Sequence, residues 1–180
     1  MLKVIDNWLG DEDLVRFLER QFMYKTPHYY IEYADSTNAP NSIFGKNENQ
    51  ETDSQIFYST DFNPEELIIK FIVIKAMESI EELYNIPSTR LLCERAHLTV
   101  QHPGQDIEPH RDGGEITAVY TAACPGGGEF IFDMEYGEET FKFEKNRLFV
   151  FDGKQTHRAP AAIAKRPRIL LVMKFGIANK

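Results

Sequence analysis

The sequence has little cysteine: Cys93 and Cys124 are the two in 180 residues, and they form no C-x-x-C pair. That excludes disulfide-framework and zinc-finger folds and predicts two reduced thiols. Long apolar runs are missing too. No stretch of about 18 consecutive apolar residues occurs, so no transmembrane helix is expected. The first ten residues carry Asp6 and Trp8 rather than a basic segment followed by an apolar core, which predicts a soluble, cytoplasmic chain. Positive charge is in deficit, with a net charge of -8, and a field of that sign disfavours nucleic acid and anionic membranes as partners. Repeats and low-complexity tracts are absent. A chain of this length can hide roughly 70% of its unfolded surface, so one domain spanning 1–180 is expected.

The charge that is present is unevenly placed. Residues 142–180 hold ten Lys or Arg against two acids, Glu144 and Asp152, while the rest of the chain holds ten bases and 26 acids. Two oppositely charged solvated faces attracting each other account for this, and so does a pocket for a small anion.

The opening "VIDNWLGDEDLVRFLERQFM" reads as a short strand and then a helix. Asp11 is placed to cap that helix, and Leu14, Phe17, Leu18 and Phe22 recur at helical spacing. "TPHYYIEYA" reads as a strand. From Asp35 to Ser54 the chain is polar and rich in Asn and Ser, too long for a tight connection, and is a candidate lid. "NPEELIIKFIVIKAMESIEELYNIP" predicts a helix capped by Asn63, with Pro64 in its first turn, Glu66 completing a capping box and Pro87 beyond its end. Its expected buried face is Leu67, Ile68, Phe71, Ile72, Ile74, Met77, Ile80 and Leu83. After Pro87 the period becomes two. Candidate strands are "LLCERAHLTVQ", "ITAVYTAA", "EFIFDMEY", "ETFKFEK", "RLFVFD" and "RILLVMKFG". Helices followed by many short strands predict an α+β, mainly β protein built on an antiparallel sandwich or barrel.

The segment "GQDIEPHRDGG" places His110 and Asp112 two residues apart, so an extended backbone directs both to one side. His157, where "RLFVFDG" runs out into the loop "KQTHRAP", is the candidate third ligand. Two imidazoles and one carboxylate form the facial set of non-heme Fe(II) oxygenases, which leaves positions open on the ion. The Gly126–Gly128 run lacks the G-x-x-x-x-G-K phosphate-loop pattern and precedes a strand, so a tight turn explains it.

In this context "GQDIEPHRD" resembles the H-x-D stretch of 2-oxoglutarate and Fe(II) dependent oxygenases of the prolyl hydroxylase type. "YTAACPGGGEFIF", "LFVFDGKQTH" and "RPRILLVMKFG" resemble that family's later segments in the same order, and the resemblance runs from Leu91 to Phe175. It implies a double-stranded β-helix, or jelly roll, with N-terminal helices packed on one sheet. It implies Fe(II) held by His110, Asp112 and His157, with 2-oxoglutarate and molecular oxygen as cosubstrates. Arg168 matches the basic residue of the last strand that grips the distal carboxylate of 2-oxoglutarate, and Arg166 is the runner-up. A carboxylate at 112 fills the position a halogenase leaves for halide, so the implied activity is hydroxylation of a C–H bond in a protein side chain or small molecule, releasing succinate and carbon dioxide. Two positions depart from the pattern: Gln101 stands where a Tyr is common, and Leu170 where a Ser often follows the basic residue. A second contact to the distal carboxylate is therefore expected from Gln101, Thr99 or Tyr120. Arg95 and His97, on the same strand face as Thr99, are candidate substrate contacts. The alternatives are a cupin-like metal enzyme without 2-oxoglutarate and a metal-free jelly-roll binding module.

Overall fold

The protein was analysed as a computed structural model that describes residues 2–26, 29–31, 56–58, 62, 66–161 and 166–178. Its elements are β1 (Leu2–Ile5), α1 (Glu12–Tyr24), β2 (Tyr29–Ile31), β3 (Ile56–Tyr58), α2 (Leu67–Tyr84), β4 (Leu91–Gln101), β5 (Ile107–His110), β6 (Ile116–Ala123), β7 (Glu129–Met134), β8 (Gly137–Lys142), β9 (Leu148–Asp152), β10 (His157–Ala159) and β11 (Arg168–Ile177). The segment from Asp35 to Ser54, His28, and the expected cap residues Asn63 and Pro64 lie outside the described residues.

Asp11 caps α1 as expected, its side chain accepting from the backbone N–H groups of Asp13 and Leu14 at 2.9 and 3.0 Å. The buried stripe is Val15, Leu18 and Phe22, whereas Phe17 is 47% exposed. The expected capping box of α2 rests on Asn63 and so falls outside the described residues. Glu66 is itself the extended N-cap residue with no side-chain cap bond, and Asn85 in the left-handed region closes the other end before Pro87. Its buried face is Ile69, Ile72, Val73, Ala76 and Ile80; Leu67, Phe71 and Ile74, expected to be buried, are exposed. This helix is apolar on nearly every side, so its periodicity could not fix which stripe turns inward.

The strands form two antiparallel sheets, ordered β1-β9-β6-β11-β4-β3-β2 and β5-β10-β7-β8. Residues alternate across β11, which fixes two cores. Ile169, Leu171, Met173 and Phe175 face α1 and α2 in one cluster with Leu18, Phe22, Ile72 and Ile80. Leu170 and Val172 face the second sheet and meet Phe130, Phe132, Phe143, Phe149 and Phe151. The helices thus pack on the outer face of the seven-stranded sheet, and phenylalanine fills the space between the sheets. These rings contact one another edge-on and tilted at centroid separations such as 4.5 Å for Phe130–Phe132 and 5.0 Å for Phe132–Phe151, the arrangement that aromatic quadrupoles favour.

Two of the ten bases in residues 142–180 pair with acids near the start of the chain. Arg147 bonds Asp6 at 2.5 Å and Lys145 bonds Glu19 at 3.2 Å. Arg168 and Lys174, by contrast, are buried.

Gly153 fixes the loop that carries the H-x-D residues. A Cβ there would stand 2.4 Å from the Gly113 carbonyl oxygen and 2.8 Å from that of Gly114. Both contacts are backbone, and Gly113 N–H donates to the Gly153 carbonyl at 3.1 Å. Gly153→Ala is therefore expected to destabilise the fold by about 1–3 kcal/mol and to weaken metal binding, because the displaced residues directly follow Asp112. Urea unfolding together with a Mn(II) titration checks both effects.

Candidate active site

His110 closes β5 and His157 opens β10, and the two are directly paired across adjacent antiparallel strands. The sequence placed His157 in a loop; it is instead the first residue of a short strand between β5 and β7. Their rings lie 4.3 Å apart between centroids. Each imidazole is oriented by a backbone carbonyl: His110 Nδ1 lies 2.7 Å from Glu108 O, and His157 Nδ1 lies 2.9 Å from Gln155 O. Donation from both Nδ1 atoms puts the ring lone pair on Nε2 in each case, the tautomer a metal requires. Asp112 follows β5, and its Oδ2 stands 3.5 Å from His157 Nε2. One donor atom from each of His110, Asp112 and His157 falls within 4.8 Å of the others.

Packing holds His157 in place, since it is buried against the rings of Phe130, Phe132 and Phe151 at 5.3, 5.7 and 4.8 Å. That burial, helped by the nearby His110 and Lys174, lowers its pKa to about 4, against the opposing pull of Asp112 and of the Gln155 carbonyl. The ring is therefore neutral and available to a metal at pH 7. The unfolded chain has the ordinary His pKa of about 6.5 and binds more protons than the folded chain between that value and about 4. The contribution is complete above about pH 6.5 and is lost as the pH falls through this window. The melting temperature of the metal-free protein is expected to drop over this range, and the drop should be shallower in His157→Gln.

Asp112 is buried, which alone would raise its pKa, yet His157, Lys174 and His110 together lower it. The sequence reading missed Lys174. This buried lysine bonds the Asp112 backbone carbonyl and stands 3.2 Å from its Oδ1. The available signal was a cation in the inward phase of β11, in step with Arg168, Leu170 and Val172.

A cavity opens beside the three donors, walled by His97, Thr99, Phe130, Ala159, Leu170 and Val172. Thr99 and His97 thus reach it, as their strand phase suggested, and Arg95 is the next half-buried residue on that face. One inward pair beyond Thr99 and Leu170, about 7 Å along the strands, Arg168 pairs with Gln101. Arg168 is 2% exposed, and its guanidinium carbon sits 3.8 Å from the centroid of Phe143. No carboxylate reaches it among the described residues. Among the described residues its acceptors are the Gln101 Oε1 and the carbonyls of Pro160 at 3.3 Å and Gly127 at 3.5 Å, while Nε has none. Burial lowers its pKa to about 10, so the charge is retained. Arg166, the runner-up, is exposed and precedes the strand.

Two sequence expectations change here. Tyr120 pairs with Leu171 and Leu148 on the opposite face of the sheet and packs 5.3 Å from Trp8, so it lies among the helix-facing side chains and away from the cavity. Gln101 lies beside Arg168, beyond the cavity wall as Arg168 is, and its amide is engaged by protein groups.

A buried N,N,O donor set beside a cavity, with a buried cation beyond it that meets no acid among the described residues, has the chemistry to hold a divalent metal and an organic anion. The fold agrees. A 2OG-Fe(II) oxygenase family oxidoreductase from Burkholderia pseudomallei superposes with a TM-score of 0.68 at 12% identity, over 99% of this chain and 87% of that one. A Pseudomonas putida prolyl-4-hydroxylase gives 0.63 at 20% identity, over 99% and 92%. The viral collagen prolyl hydroxylase of Paramecium bursaria Chlorella virus-1, in its 2OG complex, gives 0.61 at 15%, over 99% and 96%. At these identities the likeness establishes the jelly-roll fold. The sequence model of the aspartyl/asparaginyl β-hydroxylase family matches residues 46–176, and the chain belongs to that family. No curated protein matches the sequence.

Proposed function

We propose that this chain is an Fe(II)- and 2-oxoglutarate-dependent dioxygenase that hydroxylates a C–H bond of a protein side chain or small molecule. The observation that carries the proposal is the convergence of His110, Asp112 and His157 on one point beside the cavity. Two imidazoles and one carboxylate suit Fe(II) and leave the remaining positions open. His110 Nε2, His157 Nε2 and Asp112 Oδ2 are the atoms that would hold it.

Bound iron and 2-oxoglutarate supply the oxidising chemistry, in which dioxygen and the keto acid are converted to succinate, carbon dioxide and the hydroxyl delivered to substrate. The chain supplies orientation and dryness. Glu108 and Gln155 carbonyls hold the two rings, and Lys174 holds Asp112. Phe130, Leu170 and Val172 exclude water from the cavity. Arg168 offers its charge, and a free Nε donor, to the distal carboxylate of 2-oxoglutarate, with Thr99 as a second donor from the wall. Arg95 and His97 are the substrate-side candidates. The whole chain acts as one catalytic domain, and the acidic surface disfavours nucleic acid as substrate. A cytoplasmic location fits the two free thiols. Among the described residues no helix is long and apolar enough to cross a membrane.

Anaerobic titration of Fe(II) and 2-oxoglutarate tests this reading. A visible charge-transfer band is expected in the wild type and is expected to be missing from His110→Ala. Metal binding with no band would indicate a cupin-like enzyme, and no metal binding would indicate a binding module.

A further inference from the structure

The buried arginine raises a question of its own: what aims a guanidinium that meets no acid among the described residues. Gln101 sits directly across from it in the β4–β11 register. Its amide nitrogen donates to Gln105 O at 2.6 Å, to Ala159 O at 2.8 Å and, more distantly, to Pro160 O at 3.4 Å. Three carbonyls on one side determine which end of the amide is nitrogen, since an oxygen there would face only acceptors. Oε1 must then point the other way, where Arg168 Nη2 donates to it. Ala159 is the last residue of β10, the strand that His157 opens. One side chain therefore ties the anion-binding cation of β11 to the strand carrying a metal ligand.

We propose that Gln101 is a positioning residue for the cosubstrate: it fixes Arg168 relative to the metal triad, and its neutrality keeps the guanidinium charge unspent for an incoming carboxylate. The proposal rests on the 2-oxoglutarate reading above and replaces the direct contact expected of Gln101 from sequence. A carboxylate at this position would pair with Arg168 and compete with the ligand. A side chain without an acceptor would leave the guanidinium free to shift. A chelating dicarboxylate must reach Arg168 and the metal at once, so the Gln101 tie also sets the ligand length that the site accepts.

The test uses the full chain loaded with Mn(II), which resists oxidation, and measures Kd for Mn(II), 2-oxoglutarate and 2-oxoadipate in wild type, Gln101→Glu and Gln101→Met. Gln101→Glu is expected to weaken 2-oxoglutarate binding by about 100-fold or more. Gln101→Met, similar in length and neutral, is expected to weaken it roughly 10- to 100-fold, the range for a lost hydrogen bond to a charged group, and to narrow the preference over 2-oxoadipate. Mn(II) affinity should stay within about twofold, which a general packing defect would not allow. Unchanged 2-oxoglutarate affinity in Gln101→Glu with Mn(II) still bound overturns the proposal and leaves the oxygenase reading intact. If Gln101→Glu fails to bind Mn(II), the decision passes to Gln101→Met, where unchanged affinity and preference overturn it. A wild type that binds Mn(II) and no 2-oxoglutarate overturns both.

Discussion

Asp112→Ala is expected to abolish metal binding and also to destabilise the metal-free fold by about 3–5 kcal/mol, the range for a buried ion pair with one partner removed. Lys174 is 5% exposed and directs its ammonium at the Asp112 carbonyl and Oδ1. Removing the carboxylate leaves that buried charge without its ion-pair partner. The double variant Asp112→Ala/Lys174→Met should recover most of the stability while metal binding stays absent, because a buried pair replaced by apolar groups is often neutral or better. Denaturant unfolding of the three metal-free proteins and a Mn(II) titration separate the two roles. If metal-free Asp112→Ala is as stable as wild type, Lys174 does not depend on Asp112 and the pairing described here has no energetic weight.

The same residues show how far the sequence could be read. His110 and Asp112 were legible because two-residue spacing needs only local backbone to bring them together. His157 was legible as chemistry and misplaced as structure: a three-residue strand gives too short a pattern to tell from a loop. Tyr120 was misplaced for another reason. Every residue of β6 is buried, as are nine of the ten in β11, since the seven-stranded sheet has helices on one face and the second sheet on the other. Strands covered on both sides carry no polar and apolar contrast, so alternation groups Tyr120 with Ala118 and Ala122 without saying which way the group points. Lys174 was a second signal in that pattern beside Arg168, because a charge inside a doubly covered strand is costly unless paired. Asp112, which lies far away in sequence, is the partner of Lys174. Leu67, Phe71 and Ile74 repeat the problem in α2, where apolar residues surround the helix.

Arg168 offers the sharpest separation of binding from folding. Arg168→Met is expected to raise the Kd for 2-oxoglutarate by roughly 30- to several-thousand-fold, equivalent to about 2–5 kcal/mol for truncating one side of a buried charge pair, with Mn(II) affinity unchanged. The ligand-free protein should nevertheless keep its stability to within about 1 kcal/mol. Among the described residues the native guanidinium is buried without a counter-charge, a desolvation cost that also lowers its pKa to about 10. What offsets that cost is one close bond to Gln101, two long carbonyl contacts and the face of Phe143. Methionine gives up those contacts and the desolvation cost together, and its flexible thioether fills the space against Phe143. A residue retained for folding would behave in the opposite way, with stability lost and ligand affinity changed only in proportion. Isothermal titration with 2-oxoglutarate on the Mn(II)-loaded protein, set against urea unfolding of the ligand-free form, reads the two quantities separately. A loss of several kcal/mol in stability with little change in Kd would make Arg168 a structural cation and move the anion site elsewhere in the barrel.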